Sequence, residues 1–285
     1  MAEAKIGVIG GSGLYKLDDL KLTEELTLTT PFGDPSDKIL IGSLLDVPVA
    51  FLPRHGRNHT INPSEIPVRA NIFALKSIGV ERLISISAVG SLKEEIHPMD
   101  IVIPNQLLDR TKCRASTFFE EGVVAHISFA DPFCNELSDK IASVAGEIGA
   151  IVHTGGTYVV IEGPAFSTRA ESHLYRSWGA SVIGMTALPE AKLAREAGLC
   201  FTILACATDY DVWHPSQEDV TVEKVIYHLR QNVETSQNIL SGVIPKLTGS
   251  RTCNCGDALS GAIVTSREEI SEQAWFRIGK LIGEN

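Results

Sequence analysis

Hydrophobic residues recur along this chain in two rhythms. Short, largely apolar runs at 5–9, 47–52, 82–87, 158–161 and 201–207 each close in glycine or small polar residues. They have the length and character of strands, and 201–207 reads as one buried on both faces of a parallel sheet. Between such runs apolar positions return every three or four residues, the period of a helix with one face on a core. Val68, Ile72 and Leu75 mark a helix over 67–78 ended by Gly79, and 135–148 is helical as well. Thr168 with Glu171 forms a capping box for a helix reaching about 178. Another helix carries Pro189 near its start and Gly198 past its end. Val222, Val225, Ile226, Leu229, Val233 and Leu240 lie on one face of a long helix. Ser266 with Glu269 predicts a second capping box, opening a final amphipathic helix with Ile270, Ala274, Ile278 and Leu281. A strand at 38–41 pairs with 47–52, and short strands are expected at 101–104 and 181–184. The stretch 109–132 reads as an irregular insertion or interface loop, and 246–265 as a polar linker or flexible segment. Strands alternating with helices predict an α/β protein, with no internal repeat and no clear domain boundary.

Composition narrows the possibilities. The chain has 285 residues, 44% hydrophobic and 21% charged, enough for a substantial core in one large domain or two small ones. A net charge of −10 argues against general affinity for a nucleic-acid backbone, which needs a positive surface. The first residues carry charge at Glu3 and Lys5, so no signal peptide is expected, and no apolar run is long enough to span a bilayer. The compartment therefore reads as cytoplasmic. Six cysteines spread through so long a chain do not imply a disulfide framework. Cys200 and Cys206 read as core. Cys253-Asn254-Cys255 is a close pair in a polar segment, too few by itself for structural zinc. A redox-sensitive pair, a disulfide to another element and chance all stay open.

Candidate chemistry gathers at strand ends. The run 201–207 opens directly into Thr208-Asp209-Tyr210-Asp211. In open α/β sheets ligands bind beyond the carboxyl ends of strands. Two carboxylates two residues apart can face the same way, and crowding by each other and by apolar neighbours raises their pKa. The alternative is a pair of turn and cap residues. After the first strand, Gly10-Gly11-Ser12-Gly13 is an oxyanion-binding or simply tight turn; Lys16 breaks the dinucleotide spacing, and no P-loop lysine follows. The strand 47–52 ends in Pro53-Arg54-His55-Gly56-Arg57-Asn58-His59, a phosphate site through the arginine fork or an exposed basic loop. A metal between His55 and His59 is disfavoured by Gly56 and by the missing glutamate. The strand 82–87 ends in Ser87-Ala88-Val89-Gly90-Ser91. Three such ends, at Ser12, Arg54/His55 and Ser87, could meet on one ligand. Phe166 is placed to stack on a planar ring or to fill core, and Met185-Thr186 to face a sugar or to pack.

At this point the chain resembles the 5′-methylthioadenosine phosphorylases of the trimeric purine nucleoside phosphorylase family. The resemblance covers residues 5 to about 245 and rests on IGGSGLY, TPFGDPSD, RHGRNH, SAVGSL, IEGPAFSTRAES, MTALPE and ATDYDVW in that order. It implies a single domain with a central mixed, partly barrel-like sheet flanked by helices, with 246–285 a linker and amphipathic helix of the same domain. It implies phosphate held by Ser12, Arg54, His55, Ser87, the backbone at Ala88, and Thr186; Ser12 and Ser87 stand where many relatives carry threonine. Met185 would lie under the ribose, and Phe166 and Ser167 would line the purine. Asp209 would address N7 as the catalytic acid and Asp211 the 6-amino group, with Tyr210 between them at the substrate. Val222 and Val225 would accept a methylthio group, and His126 would reach the substrate's 5′ end in a neighbouring subunit.

The expected reaction is phosphate-dependent cleavage of 5′-methylthioadenosine to adenine and 5-methylthioribose 1-phosphate, a pentosyl transfer of purine and methionine salvage. Phosphate is a co-substrate, and no cofactor and no metal is expected. Partners are the nucleoside and phosphate, with no nucleic acid and no membrane, in a homotrimer or a dimer of trimers. A phosphorylase of 6-oxopurine nucleosides or methylthioinosine is the nearest alternative; the two aspartates argue against it, because a 6-oxo group would meet a carboxylate lone pair to lone pair. A water-using nucleosidase and a nucleotide-sensing binding protein with a dead site are further alternatives.

Overall fold

The computed structural model describes residues 4–11, 20–215 and 222–283. Ser12 lies outside the described residues, as do the side chains of Val222 and Val225.

The chain opens with β1 (Ile6–Gly10), then β2 (Leu20–Leu26), β3 (Ile39–Leu44) and β4 (Val47–Pro53). Helix α1 (Val68–Ser77) returns to β5 (Arg82–Ser91), followed by β6 (Ile101–Ile103) and β7 (Gln106–Arg110). A long connection reaches α2 (Asn135–Glu147), β8 (Val152–Thr154) and β9 (Thr157–Ile161). Next come α3 (Arg169–Ser177), β10 (Val182–Gly184), α4 (Ala187–Glu196), β11 (Cys200–Asp209), α5 (Val222–Val243) and α6 (Glu272–Ile282).

One mixed sheet holds the strands in the order β2-β3-β4-β1-β5-β10-β9-β7, with β11, β6 and β8 branching from β5. Strand β5 is the hub. Its first half pairs in parallel with β1 on one side and β11 on the other, while Gly90 and Ser91 pair antiparallel with β10. Because β1 ends while β5 continues, the sheet splits there and leaves a crevice beyond the strand ends.

Strand alternation divides the core between the two faces of the sheet. Phe201, Ile203, Ala205 and Ala207 of β11 pack with Ile72, Leu75, Leu193 and Ile278 from α1, α4 and α6. Cys200, Leu204 and Cys206 pack with Ile141, Val144, Ile239 and Leu240 from α2 and α5. Each fully buried Val, Leu, Ile or Phe among them contributes about 1.5–3 kcal/mol by leaving water, which holds β11 in register and fixes where its polar end emerges.

Two sequence expectations need correction, and an edge strand went unpredicted. Strand β2 is mostly exposed and rich in Lys21, Glu24 and Glu25; its apolar signal is weak because it is a charged edge strand, where charge prevents pairing with another chain. The segment after α5 is no free linker: Cys255 is buried, and Arg251 donates to the Gly198 carbonyl at 2.8 Å. The last helix does not begin at Ser266. Residues Arg267–Glu269 form one 3₁₀ turn, Ile270 is extended, and Ser271 caps α6 by accepting from the Ala274 N–H at 3.2 Å. The Thr168–Glu171 capping box is present in both directions.

Candidate active site

A cavity of about 290 Å³ occupies the crevice. Its wall combines the ends of β4, β5, β10 and β11, the turn after β9, and one face of α5.

One side is lined by hydroxyls and cations. Ser87, at the middle of β5, and Thr186, just past β10, bring their hydroxyls within 2.9 Å of each other. Ala88 lines the cavity beside them. The buried Tyr158 hydroxyl stands next to the pair, and burial pushes it up to about 12, so it stays neutral. It lies directly over Gly184, where a Cβ would come within 2.2 Å of its oxygen. Arg54 and His55 follow β4 into the cavity wall.

The Arg54 fork, expected on phosphate, faces inward instead. Its Nε donates to Glu190 Oε1 and its Nη2 to Glu190 Oε2 at 3.1 Å, to Ser85 Oγ at 2.6 Å and to the Ile9 carbonyl at 3.3 Å. Glu190 is completely buried on α4, so a guanidinium in the same place must compensate it. Nη1 gives one proton to the Ile86 carbonyl at 3.1 Å, and no acceptor among the described residues takes its other. Arg54 thus brings positive character and a single remaining donor, not a bidentate clamp.

His55 stacks on His59 with centroids 4.3 Å apart. Desolvation first, then the Arg54 charge, lowers its pKa to about 4, so the imidazole is neutral near pH 7. Its Nδ1 lies 2.8 Å from the Ile61 carbonyl, which can only accept. The ring proton therefore sits on Nδ1, and Nε2 is an acceptor.

The other side is carboxylate-lined. Asp209 Oδ2 accepts from Thr208 Oγ1 at 2.7 Å, and Oδ1 from the Asp211 N–H at 2.8 Å. Desolvation raises Asp209 to about 6; the Thr208 hydroxyl and the Asp211 N–H oppose this, and the Asp211 charge adds to it. Asp211 is buried, its carboxyl raised chiefly by that burial, and both its oxygens accept from Ser167 Oγ at 2.9 and 2.7 Å. Gly90 lies against both acids. A Cβ there would stand 2.9 Å from Asp209 Oδ1 and 3.2 Å from Asp211 Cβ, which explains glycine at this point in β5. Phe166, 46% exposed, and Met185 border the remaining opening.

Most of the described candidate residues meet in this one cavity: Arg54, His55, Ser87, Ala88, Phe166, Ser167, Met185, Thr186, Asp209 and Asp211. Tyr210 does not join them. It lies just past the end of β11, against Trp213 and His214 with ring centroids 5.8 and 4.7 Å away. His126 is exposed, its N–H bound to the Ala262 carbonyl at 2.8 Å, and does not line this chain's cavity. On α5, Asn232, Val233 and Ser236 line it.

Several site residues carry no signal of their own in the sequence. Glu190 and Ser85 hold Arg54 in place. Arg114, within the irregular stretch 109–132, donates to the carbonyls of Met185 and Leu188 at 2.5 and 2.6 Å and also binds Glu162. It thereby ties the turn bearing Phe166 to the one bearing Met185. His228 binds the Thr208 carbonyl, and Asn232 Nδ2 donates to the Ala207 carbonyl at 2.9 Å.

A family model described as the phosphorylase superfamily matches residues 5–245. The S-methyl-5′-thioadenosine phosphorylase of Chloroflexus aurantiacus is 55% identical, over 99% of this chain and 99% of that protein. A crystal structure of methylthioadenosine phosphorylase from an antarctic soil metagenomic library superposes with a TM-score of 0.93 at 45% identity, covering 99% of both chains. The Schistosoma mansoni methylthioadenosine phosphorylase in complex with adenine gives 0.87 at 34% identity, over 94% of this chain and 100% of that one.

Proposed function

The chain belongs to the phosphorylase superfamily, and from that premise we propose that it cleaves 5′-methylthioadenosine with phosphate, giving adenine and 5-methylthioribose 1-phosphate. The observation that carries this is a single cavity with two distinct ends. A hydroxyl pair, Ser87 and Thr186, lies at one, and a carboxyl pair, Asp209 and Asp211, at the other. The relatives named methylthioadenosine phosphorylase, and the one holding adenine, support the same substrate.

Phosphate sits between the hydroxyls, the Ala88 backbone and the remaining Arg54 N–H. The dianion HPO₄²⁻ keeps one P–OH, and His55 Nε2 accepts from it. The purine sits with N7 at Asp209 and its 6-amino group donating to Asp211. As the C1′–N9 bond breaks, its electron pair passes into the purine and positive charge develops on the ribose. Phosphate stabilises that charge and forms the new C1′–O bond. Protonated Asp209 gives its proton to N7, while the proton lost by phosphate moves to His55, so charge and protons balance. The apolar side chain of Val233 on α5 receives the methylthio group.

Substrate discrimination tests this directly. Asp211 accepts from a 6-amino group but repels a 6-oxo group, so methylthioadenosine reacts far faster than methylthioinosine. Asp211→Asn, which can donate to a 6-oxo oxygen, narrows or reverses that ratio. An unchanged ratio removes Asp211 from base recognition.

We also propose that the enzyme works in the cytoplasm as a homotrimer, or as a dimer of trimers, with His126 reaching the 5′ end of a neighbour's substrate. The exposure of His126 and its distance from its own cavity support this. No helix among the described residues is long and apolar enough to cross a membrane. His126→Ala should raise KM for methylthioadenosine and leave phosphate affinity unchanged; unaltered kinetics count against a shared site.

A further inference from the structure

Four cysteines that are distant in sequence converge on one point. Cys134 precedes α2, Cys200 opens β11, and Cys253 and Cys255 lie in the segment after α5. Their four sulfurs all lie within 4.8 Å of one another, and all are free thiols. A tetrahedral zinc–thiolate centre has Zn–S bonds of about 2.3 Å, which puts its sulfurs about 3.8 Å apart. The Cys200–Cys253 separation is 3.2 Å, so closing the cluster around an ion needs only small side-chain movements.

The surroundings are built to hold these sulfurs in place. The Cys134 N–H donates to the Phe201 carbonyl at 2.8 Å, locking the approach to α2 against the start of β11. Glu136, in the first turn of α2, accepts from the N–H groups of Thr252 and Cys253 at 2.8 and 3.1 Å and from the Thr252 hydroxyl at 2.8 Å. Metal sites require such outer contacts to aim their ligands. Four thiolates around a divalent ion leave two negative charges, and Arg251, whose Nη1 donates to the Gly198 carbonyl at 2.8 Å two residues before Cys200, brings a positive charge close by. Gly256 makes that possible, since a Cβ there would come within 2.9 Å of Arg251 Nη2.

We propose that Cys134, Cys200, Cys253 and Cys255 form a structural site for a zinc-class divalent cation, fastening the C-terminal segment to the sheet. Four protein ligands close the coordination sphere, which is the arrangement of a structural centre and leaves no place for substrate. Position agrees with this. Cys200 and Asp209 stand at opposite ends of β11, about 30 Å apart at the ordinary rise per residue. The ion fixes the segment that leads to α6 and takes no part in bond cleavage. The half-buried Cys253 provides the entry path.

The test uses the full chain, purified under reductant without added metal and titrated anaerobically with Co²⁺. The expected result is one equivalent bound per chain, with thiolate-to-cobalt charge-transfer bands and tetrahedral d–d bands, both abolished by one equivalent of Zn²⁺. In the Cys253→Ser/Cys255→Ser variant the bands are lost. Should that variant fail to fold, alkylation of the unaltered protein decides instead. Zn²⁺ then protects four of the six cysteines, and a chelator restores their reactivity. The proposal is overturned if reduced protein shows no tetrahedral cobalt spectrum, or if the bands survive in the double variant. It is equally overturned if the four sulfurs are recovered as two disulfides from protein kept under reductant.

Discussion

Replacing Asp209 by asparagine removes the acid assigned to N7, and the structure gives both the size and the sign of two effects. The first is kinetic. Loss of a positioned general acid costs about 10²–10⁴-fold in rate, so kcat for methylthioadenosine should fall within that range. In the wild type only the protonated acid is active. With a pKa of about 6, about half the molecules carry the proton at pH 6 and about a tenth at pH 7. The rate of the wild type should therefore decline tenfold per unit above about pH 6, and the residual rate of Asp209→Asn should not. The second effect is on stability and runs the other way. A carboxyl at about 6 in the fold against an ordinary 3.8 disfavours the folded state by at most about 3 kcal/mol above pH 6. That penalty shrinks as pH falls through the folded pKa and vanishes below the ordinary one. Asp209→Asn should accordingly be more stable than wild type by up to about 3 kcal/mol at pH 8, with about half of that gain left at pH 5. Urea melts at the two pH values, alongside initial rates of adenine formation, measure both. A variant that is slower but shows the same stability difference at pH 5 and pH 8 would refute the raised carboxyl.

Glu190→Gln leaves a buried guanidinium without its counter-charge and should cost about 3–5 kcal/mol in a thermal or denaturant melt; a loss under about 1 kcal/mol would mean that Arg54 is held by its carbonyl and hydroxyl partners alone. Gly90→Ala drives a methyl group against Asp209 and Asp211, and displacement of about 1 Å at a reacting group costs on the order of 10²-fold. Its kcat/KM should drop by that much while the melt shifts far less than for Glu190→Gln, and near-normal turnover would show that the carboxyl pair tolerates movement. Arg114→Met should loosen the turns bearing Phe166 and Met185 together, raising KM for the nucleoside without changing the phosphate dependence of the rate.

The strand ends were legible because their signals are local. An apolar run followed by glycine and hydroxyls marks a sheet terminus wherever it occurs, and the ends at Arg54/His55 and Ser87 could be placed on one ligand on that basis, while the third, at Ser12, lies outside the described residues. Asp209 and Asp211 do line one cavity, but a turn brings them there and not strand alternation: β11 ends at Asp209, and Asp211 has φ 50°. What stayed hidden depends on partners far apart in the chain. Nothing near Arg54 announces Glu190, 136 positions on, so its fork looked free for phosphate. Arg114 sits in a stretch without periodicity, yet it organises two turns through carbonyl groups, which leave no trace in sequence. The cysteine cluster was hidden for the same reason. Cys253 and Cys255 stand close in sequence, and the fold adds Cys134 and Cys200 from two other elements.

The central claim, that phosphate is the nucleophile held opposite the two aspartates, is tested most directly by adenine release from 5′-methylthioadenosine with and without phosphate. The account predicts release only when phosphate is present, with one 5-methylthioribose 1-phosphate formed for each adenine. Equal release in both conditions, with free methylthioribose as product, would contradict it and make water the nucleophile.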